Sequence, residues 1–171
     1  MKSIAGEAGV SVQSVNLAGP KSALLIAAFE LAFAGDEGRH ALTDRPALLE
    51  IMGNPDTEAA LAAYVAFLTA ANQRSAAIVR AMRAAADADA TARAAYRDLE
   101  ERRHRDMTNG AHWLASRQLV SPAAVAEVAD VLGYVTGPET YLAFAEDRGW
   151  RPIRYEEWLL RTLNSLIIEV Y

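Results

Sequence analysis

The chain is predicted to be all-α, and three features predict it. Apolar residues recur at helical spacing through alanine-rich stretches, with little of the β-branched or aromatic alternation that a strand needs. Cap residues stand before these stretches: Ser11, Asp56 or Thr57, the run Asp87-Ala88-Asp89, and Ser121 followed by Pro122. Glycine and proline close them, at Gly9, Gly35, Gly38, Gly137-Pro138 and Gly149. With 171 residues the chain is long enough for one large core and a small appendage.

The first two elements are short helices joined by a tight turn. Ile4, Ala5 and Ala8 share one face of the first, and Ala5 is small enough for a second helix to cross closely. Gly9 is placed to end that helix in a left-handed conformation, which glycine adopts without steric cost. Val10 is expected to plug the corner, Ser11 to accept a bond from the Ser14 amide, and Val15 to anchor the second helix. Val12, Gln13 and Asn16 then point outward. This is helix-turn-helix geometry, in which the second helix presents short polar side chains to base edges.

A third helix follows from Pro20 or Lys21 to residue 34, with Leu24, Leu25, Ala28, Leu31 and Ala32 as its stripe. A short helix is expected over 46–52, and a turn over 54–57. A long helix spans 58 to about 86, lined by Leu61, Val65, Leu68, Ala71, Asn72, Ile78, Val79 and Met82. Another spans 90 to about 118, with its charges concentrated between Arg97 and Arg105. Val125, Val128, Ala129, Leu132 and Val135 line the next helix, a shorter one covers 139–147, and the last runs over 152–170. That last helix is apolar almost all round, through Trp158, Leu159, Leu163, Leu166, Ile167 and Val170. Two apolar sides need two partners, and a second copy of the helix supplies the second most simply. A homodimer through the C-terminal helices is therefore expected.

The pattern Ile-Ala-x-x-Ala-Gly-Val-Ser from Ile4, then Ser14-Val15, then Gly19-x-Lys21-x-x-Leu24-Leu25 resembles the TetR family of bacterial transcriptional regulators. The run Gly149-Trp150-Arg151-Pro152-Ile153-Arg154-Tyr155-Glu156-Glu157-Trp158-Leu159 is similar to the C-terminal portion of many members, as is Thr136-Gly137-Pro138-Glu139-Thr140-Tyr141 upstream. The resemblance implies a partial helix-turn-helix head with its connecting helix over 1–34, and a helical ligand-binding and dimerisation domain over 35–171. Members carry a helix before this motif, whereas Met1 lies inside it, and Asn16-Leu17-Ala18 stand where an aromatic triplet is usual. The head is thus expected to be truncated or degenerate. By the same resemblance Ser11, Val12, Gln13, Ser14 and Asn16 face the major groove and Lys21 contacts phosphate. The partners implied are operator DNA, for a complete head, and an unknown small-molecule effector. The expected function is a ligand-responsive regulator, with repression as its output. The alternative is a dimeric helical small-molecule-binding module that does not touch DNA.

Composition narrows the remaining classes. Net charge is −5, which argues against broad polyanion binding, and the head offers only Lys2 and Lys21 against Glu7. Cysteine is absent, so there is no disulfide or thiolate chemistry, and a cytoplasmic location fits. No apolar run of roughly 20 residues suggests a membrane span, and no membrane partner is expected. Glu101-x-x-His104 has the spacing of half a di-iron helical site, with His112 two turns on. No second such half exists, and Arg102, Arg103 and Arg105 crowd it with positive charge, so a solvated salt-bridged face is expected instead. Three histidines without a nucleophile motif or phosphate loop assemble no catalytic site. Neither enzyme activity nor a cofactor or metal is expected.

A ligand cavity is the stronger candidate. Tyr96, Leu99, Arg103, Met107, Gly110 and Leu114 fall on one face of the long charged helix. Arg103 there needs a partner or a bound anion, or else snorkels outward. Asn72 interrupts an apolar stripe in the same way. Tyr64, Phe67, Trp113, Tyr134 and Tyr141 are candidate aromatic walls beside Tyr96 and Met107.

Overall fold

Capping and apolar spacing produce helices in the order expected. The computed structural model describes residues 1–34 and 45–168, and among these every regular element is helical. The turn expected at 35–38 and Val170 lie outside the described residues. The helices are α1 (Lys2–Ala8), α2 (Val12–Ala18), α3 (Lys21–Ala34), α4 (Pro46–Gly53), α5 (Thr57–Ala88), α6 (Ala90–Ser116), α7 (Val125–Val135), α8 (Pro138–Ala145) and α9 (Pro152–Ile168). A 3-10 turn, Pro122–Ala124, leads into α7. No single described helix is long and apolar enough to cross a membrane.

α5 and α6 form the frame. The Asp56 carboxylate accepts from the Ala59 amide at 3.1 Å and starts α5, which at 32 residues is about 48 Å long. Asp89 alone joins the two helices. Its amide donates to the Ala85 carbonyl and its carboxylate accepts from the Ala92 amide at 2.7 Å, so one residue caps both.

Two buried clusters hang on this frame. The larger is built from Leu61, Val65, Met107, Leu114, Leu132, Tyr155, Leu159 and their neighbours, and it joins α5 and α6 to α7, α8 and α9. The smaller seats α3 through Phe29 against Val79, Met82 and Leu99. Polar bonds fix α3 further. Arg74 donates to the Ala32 and Phe33 carbonyls at 2.8 and 3.1 Å, closing the end of the helix. Glu30, buried beside Phe29, pairs with Arg102 of α6 at 2.6 Å, while Ala28 and Leu31 of the expected stripe are exposed.

An aromatic group locks α9 to α8. Tyr155 meets Tyr141 edge-on at 5.1 Å, and Phe144 lies 4.5 Å from both Trp150 and Trp158. The Arg154 guanidinium covers Trp150 at 4.0 Å. This corrects part of the expectation for α9. Leu159 and Leu163 are 0% and 3% exposed within the single chain, so neither side chain is available to a second copy. Tyr155, Leu159 and Leu163 form one stripe against α5, and that intramolecular seam uses the apolar side assigned to the interface.

Candidate functional site

Two places carry functional potential, the head and a cavity in the body. In the head, Gly9 has φ 65° and ψ 26°, and the Val10 amide returns to the Ala5 carbonyl at 3.0 Å. The chain reverses, and Ser11 caps α2 by accepting from the Ser14 amide at 3.0 Å. The Ser11 and Ser14 hydroxyls also bond each other at 2.8 Å, so both are engaged in the cap. Ala5 and Val15 are the two buried residues of α1 and α2. α2 meets α3 at 75°. Ser11, Val12, Gln13, Ser14, Asn16 and Lys21 all lie on the exposed surface.

Two parts of the expected head differ. Val10 is 48% exposed and does not fill the corner, and Ile4 and Ala8 are exposed as well. The physical reason is the small size of the pair: α1 and α2 bury only Ala5 and Val15, which leaves these side chains without cover. Leu17, at the end of α2, is 82% exposed.

In the body, a cavity of about 120 Å³ lies between α4, α5, α6, α7 and α9. α4 contributes Leu48, Ile51 and Met52, and α5 contributes Leu61 and Tyr64. Met107, Gly110 and Trp113 face it from α6, Val128 and Leu132 from α7, and Leu163, Leu166 and Ile167 from α9. A side chain at Gly110 would meet nothing within 4 Å, so that position leaves room. The carboxylates in the lining are Asp106 and Glu127, and no Lys, Arg or His joins them among the described residues.

Arg117 holds the α4 wall in place. Its guanidinium donates to the carbonyls of Met52 and Asn54 at 3.0 and 2.6 Å, and to Pro55 O and Thr57 Oγ1 at 3.1 Å each. Trp113 adds an indole bond to the Met52 carbonyl at 2.9 Å, with the Arg117 guanidinium 4.9 Å from its ring centre. One arginine thereby closes the C-terminal end of α4 and the turn into α5. Nothing in the local sequence marks Arg117 for this role, because its acceptors lie 60 to 65 residues away.

Of the side chains expected in a pocket, Tyr64, Met107 and Trp113 line this cavity. The other six lie elsewhere. Phe67 packs edge-on against Phe33 at 6.3 Å, on the α3 side of the frame. Asn72 is fully buried and donates to the Thr136 carbonyl at 2.9 Å, tying α5 to the α7–α8 corner. Tyr96 reaches Glu139 at 3.4 Å, and burial, with Glu100 and Glu139 nearby, pushes its hydroxyl up to about 12. Arg103 finds its anion one turn away, in Glu100 at 2.7 Å. Tyr134 is 78% exposed, and Tyr141 packs in the core on Tyr155. Residues on four helices, α5 to α8, therefore divide among a cavity, a core and a surface, because each helix packs its faces on different neighbours.

The residues assigned to the dimer interface divide as well. Leu163, Leu166 and Ile167 line the cavity, Leu159 is core, and Trp158 is half-buried on Phe144. Among the described residues no group of three or more His, Cys, Asp or Glu side chains is placed to hold a metal ion. His104 sits 3.7 Å from Asp130 on an exposed face, and Glu101 is exposed too. Comparison of the chain with family models, with curated protein sequences and with solved structures finds no match in any of the three.

Proposed function

We propose that the chain is a TetR-like, ligand-responsive transcriptional regulator that acts in the cytoplasm and binds operator DNA as a homodimer, with repression as its output. The observation that carries this reading is the head. A glycine in the left-handed region, a serine cap and two crossing helices with Gln13 and Asn16 outward make a reading unit suited to a major groove. Lys21 stands in the first turn of α3, and in this reading it meets a phosphate.

The body supplies the other half. α3 carries the head and is seated on α5 and α6, while α6 also lines the cavity. A ligand that displaces α6 alters the seat of α3 and hence the separation of two heads in a dimer. Half-sites lie about 34–36 Å apart, so a small change in that separation loses the operator. The half-buried side of α9, with Trp158, and its neighbour α8 form the dimer contact in this reading.

Selection of binding sites from random duplexes, followed by gel shift, tests the proposal. The expected result is a near-palindromic consensus bound by a dimer. Gln13→Ala is expected to cost about 1–3 kcal/mol on the consensus and little on unrelated duplex. Weak binding that is blind to sequence overturns it.

A second reading, a dimeric helical small-molecule-binding module, is favoured by one observation. Leu17, Val10 and Ile4 are 82%, 48% and 41% exposed in the head, where cations would serve a duplex better. Ligand binding without any DNA shift supports that reading.

A further inference from the structure

We infer that the cavity takes a small apolar molecule with a cationic head, such as a protonated amine, set against Glu127 at its exposed edge. The inference deepens the effector-site reading above and rests on it. Three observations carry it, from size, wall chemistry and charge.

The volume, about 120 Å³, suits a body of roughly one ring, since a cavity of about 150 Å³ accommodates benzene. The walls are aliphatic and aromatic, with Leu61, Trp113, Leu132 and Leu163 among them, so the body gains from leaving water. The ionisable side chains in the wall set the head. Glu127 stands in the first turn of α7 and is exposed, whereas Leu132 one turn and a half deeper is buried. Its carboxylate therefore sits where the apolar cavity meets solvent. Burial, with the Asp106 charge beside it, raises the Tyr64 phenol above its usual range and keeps it neutral.

An anionic ligand would enter beside two carboxylates with no Lys, Arg or His in the described wall to offset it. Such a charge, partly desolvated and facing like charge, is disfavoured. A neutral ligand gains the apolar term alone. A cation gains that term and the attraction of Glu127.

Isothermal calorimetry at neutral pH and low salt tests this with three probes of matched body: 2-phenylethylammonium, 2-phenylethanol and phenylacetate. The expected order of affinity is cation, alcohol, anion, with steps of roughly threefold to tenfold. Glu127→Gln is expected to bring the cation close to the alcohol while leaving the alcohol unchanged, and high salt should do the same. Gly110→Leu, which places a side chain in the open space, should abolish all three. Overturning results are a carboxylate that equals or beats the ammonium, a cation-to-alcohol ratio untouched by Glu127→Gln, or no binding by any probe. The regulator reading fails separately. The expected order in a protein that selects no DNA sequence keeps the ligand class and removes the regulator. A palindromic operator beside an anion-preferring cavity does the reverse.

Discussion

Arg102 and Glu30 meet across the seam between α3 and α6, with side chains only 14% and 11% exposed. Arg102 also lies 3.5 Å from Asp98, one turn back on its own helix. Taking two charges out of water is costly, and their attraction offsets that cost only while both are present. Arg102→Met removes the guanidinium that faces the buried Glu30 carboxylate and is expected to lower stability by up to about 3 kcal/mol. The double variant Glu30→Leu with Arg102→Met removes both charges and is expected to regain part of that loss. Urea unfolding reads the difference as a shift in midpoint at unchanged slope. A double variant as unstable as the single one would show that the pair itself holds α3. The pair was not legible in the sequence. Glu30 sits in an apolar run and Arg102 in a charge cluster, each explicable locally, and 72 residues separate them. Arg117 was hidden for the same reason. Ser11 was legible because a cap and its amide lie three residues apart, whereas the caps at Asp56 and Asp89 were narrowed only to Asp56 or Thr57 and to the run 87–89.

The corner between α7 and α8 shows how an element boundary depends on missing atoms. A Cβ at Gly137 would lie 2.9 Å from the Gly133 carbonyl oxygen and 3.3 Å from both the Tyr134 oxygen and Arg103 Nη2. Two of those neighbours are backbone and cannot give way without opening the corner. Gly133, one turn earlier, faces only Met107 Cγ at 3.7 Å, an ordinary contact. Gly137→Ala is therefore expected to cost about 1–3 kcal/mol. Gly133→Ala is expected to be neutral or to stabilise by up to about 1 kcal/mol, because glycine inside a helix is unfavourable. Thermal unfolding of the two variants side by side checks the contrast, and equal losses would refute it. At this scale the sequence located the break at Gly137-Pro138 and most helix ends. It assigned the stripes of α5 and α7, whose residues are buried or half-buried, but not that of α9. The last helix read as apolar on two sides, and one of those sides proved to be core and cavity wall within the same chain. Periodicity tells how wide an apolar stripe is, but several neighbours in one chain can share it.

Across the whole molecule, α5 and α6 carry both clusters, and tyrosines stand at several of the joints they hold together. Tyr155 fixes α9 in the large cluster, Tyr141 meets it from α8, Tyr96 borders the small cluster, and Tyr64 lines the cavity. Burial raises the hydroxyl pKa of all four above the usual value of 10.0, and Tyr96 reaches about 12. The consequence for stability has a definite sign. At pH values well below 10.0 the phenols are neutral in the folded and unfolded chain alike, so they give stability no pH dependence there. Above it the unfolded chain releases protons that the folded chain retains, and this favours unfolding. Stability should therefore fall as pH rises through the window between 10.0 and the raised folded values. Tyr155 offers the sharpest test, because its side chain is 0% exposed and its hydroxyl has no hydrogen-bond partner among the described residues. Tyr155→Phe removes a buried polar atom that bonds to nothing, so at about pH 8 it should leave stability unchanged or raise it by about 1 kcal/mol. At about pH 11 the same variant should be distinctly more stable than the parent, since one of the proton-linked losses is gone. Urea midpoints measured at both pH values decide it. An alkaline fall equally steep in parent and variant would mean that the Tyr155 phenol titrates freely, and that the aromatic lock between α8 and α9 is looser than its geometry implies.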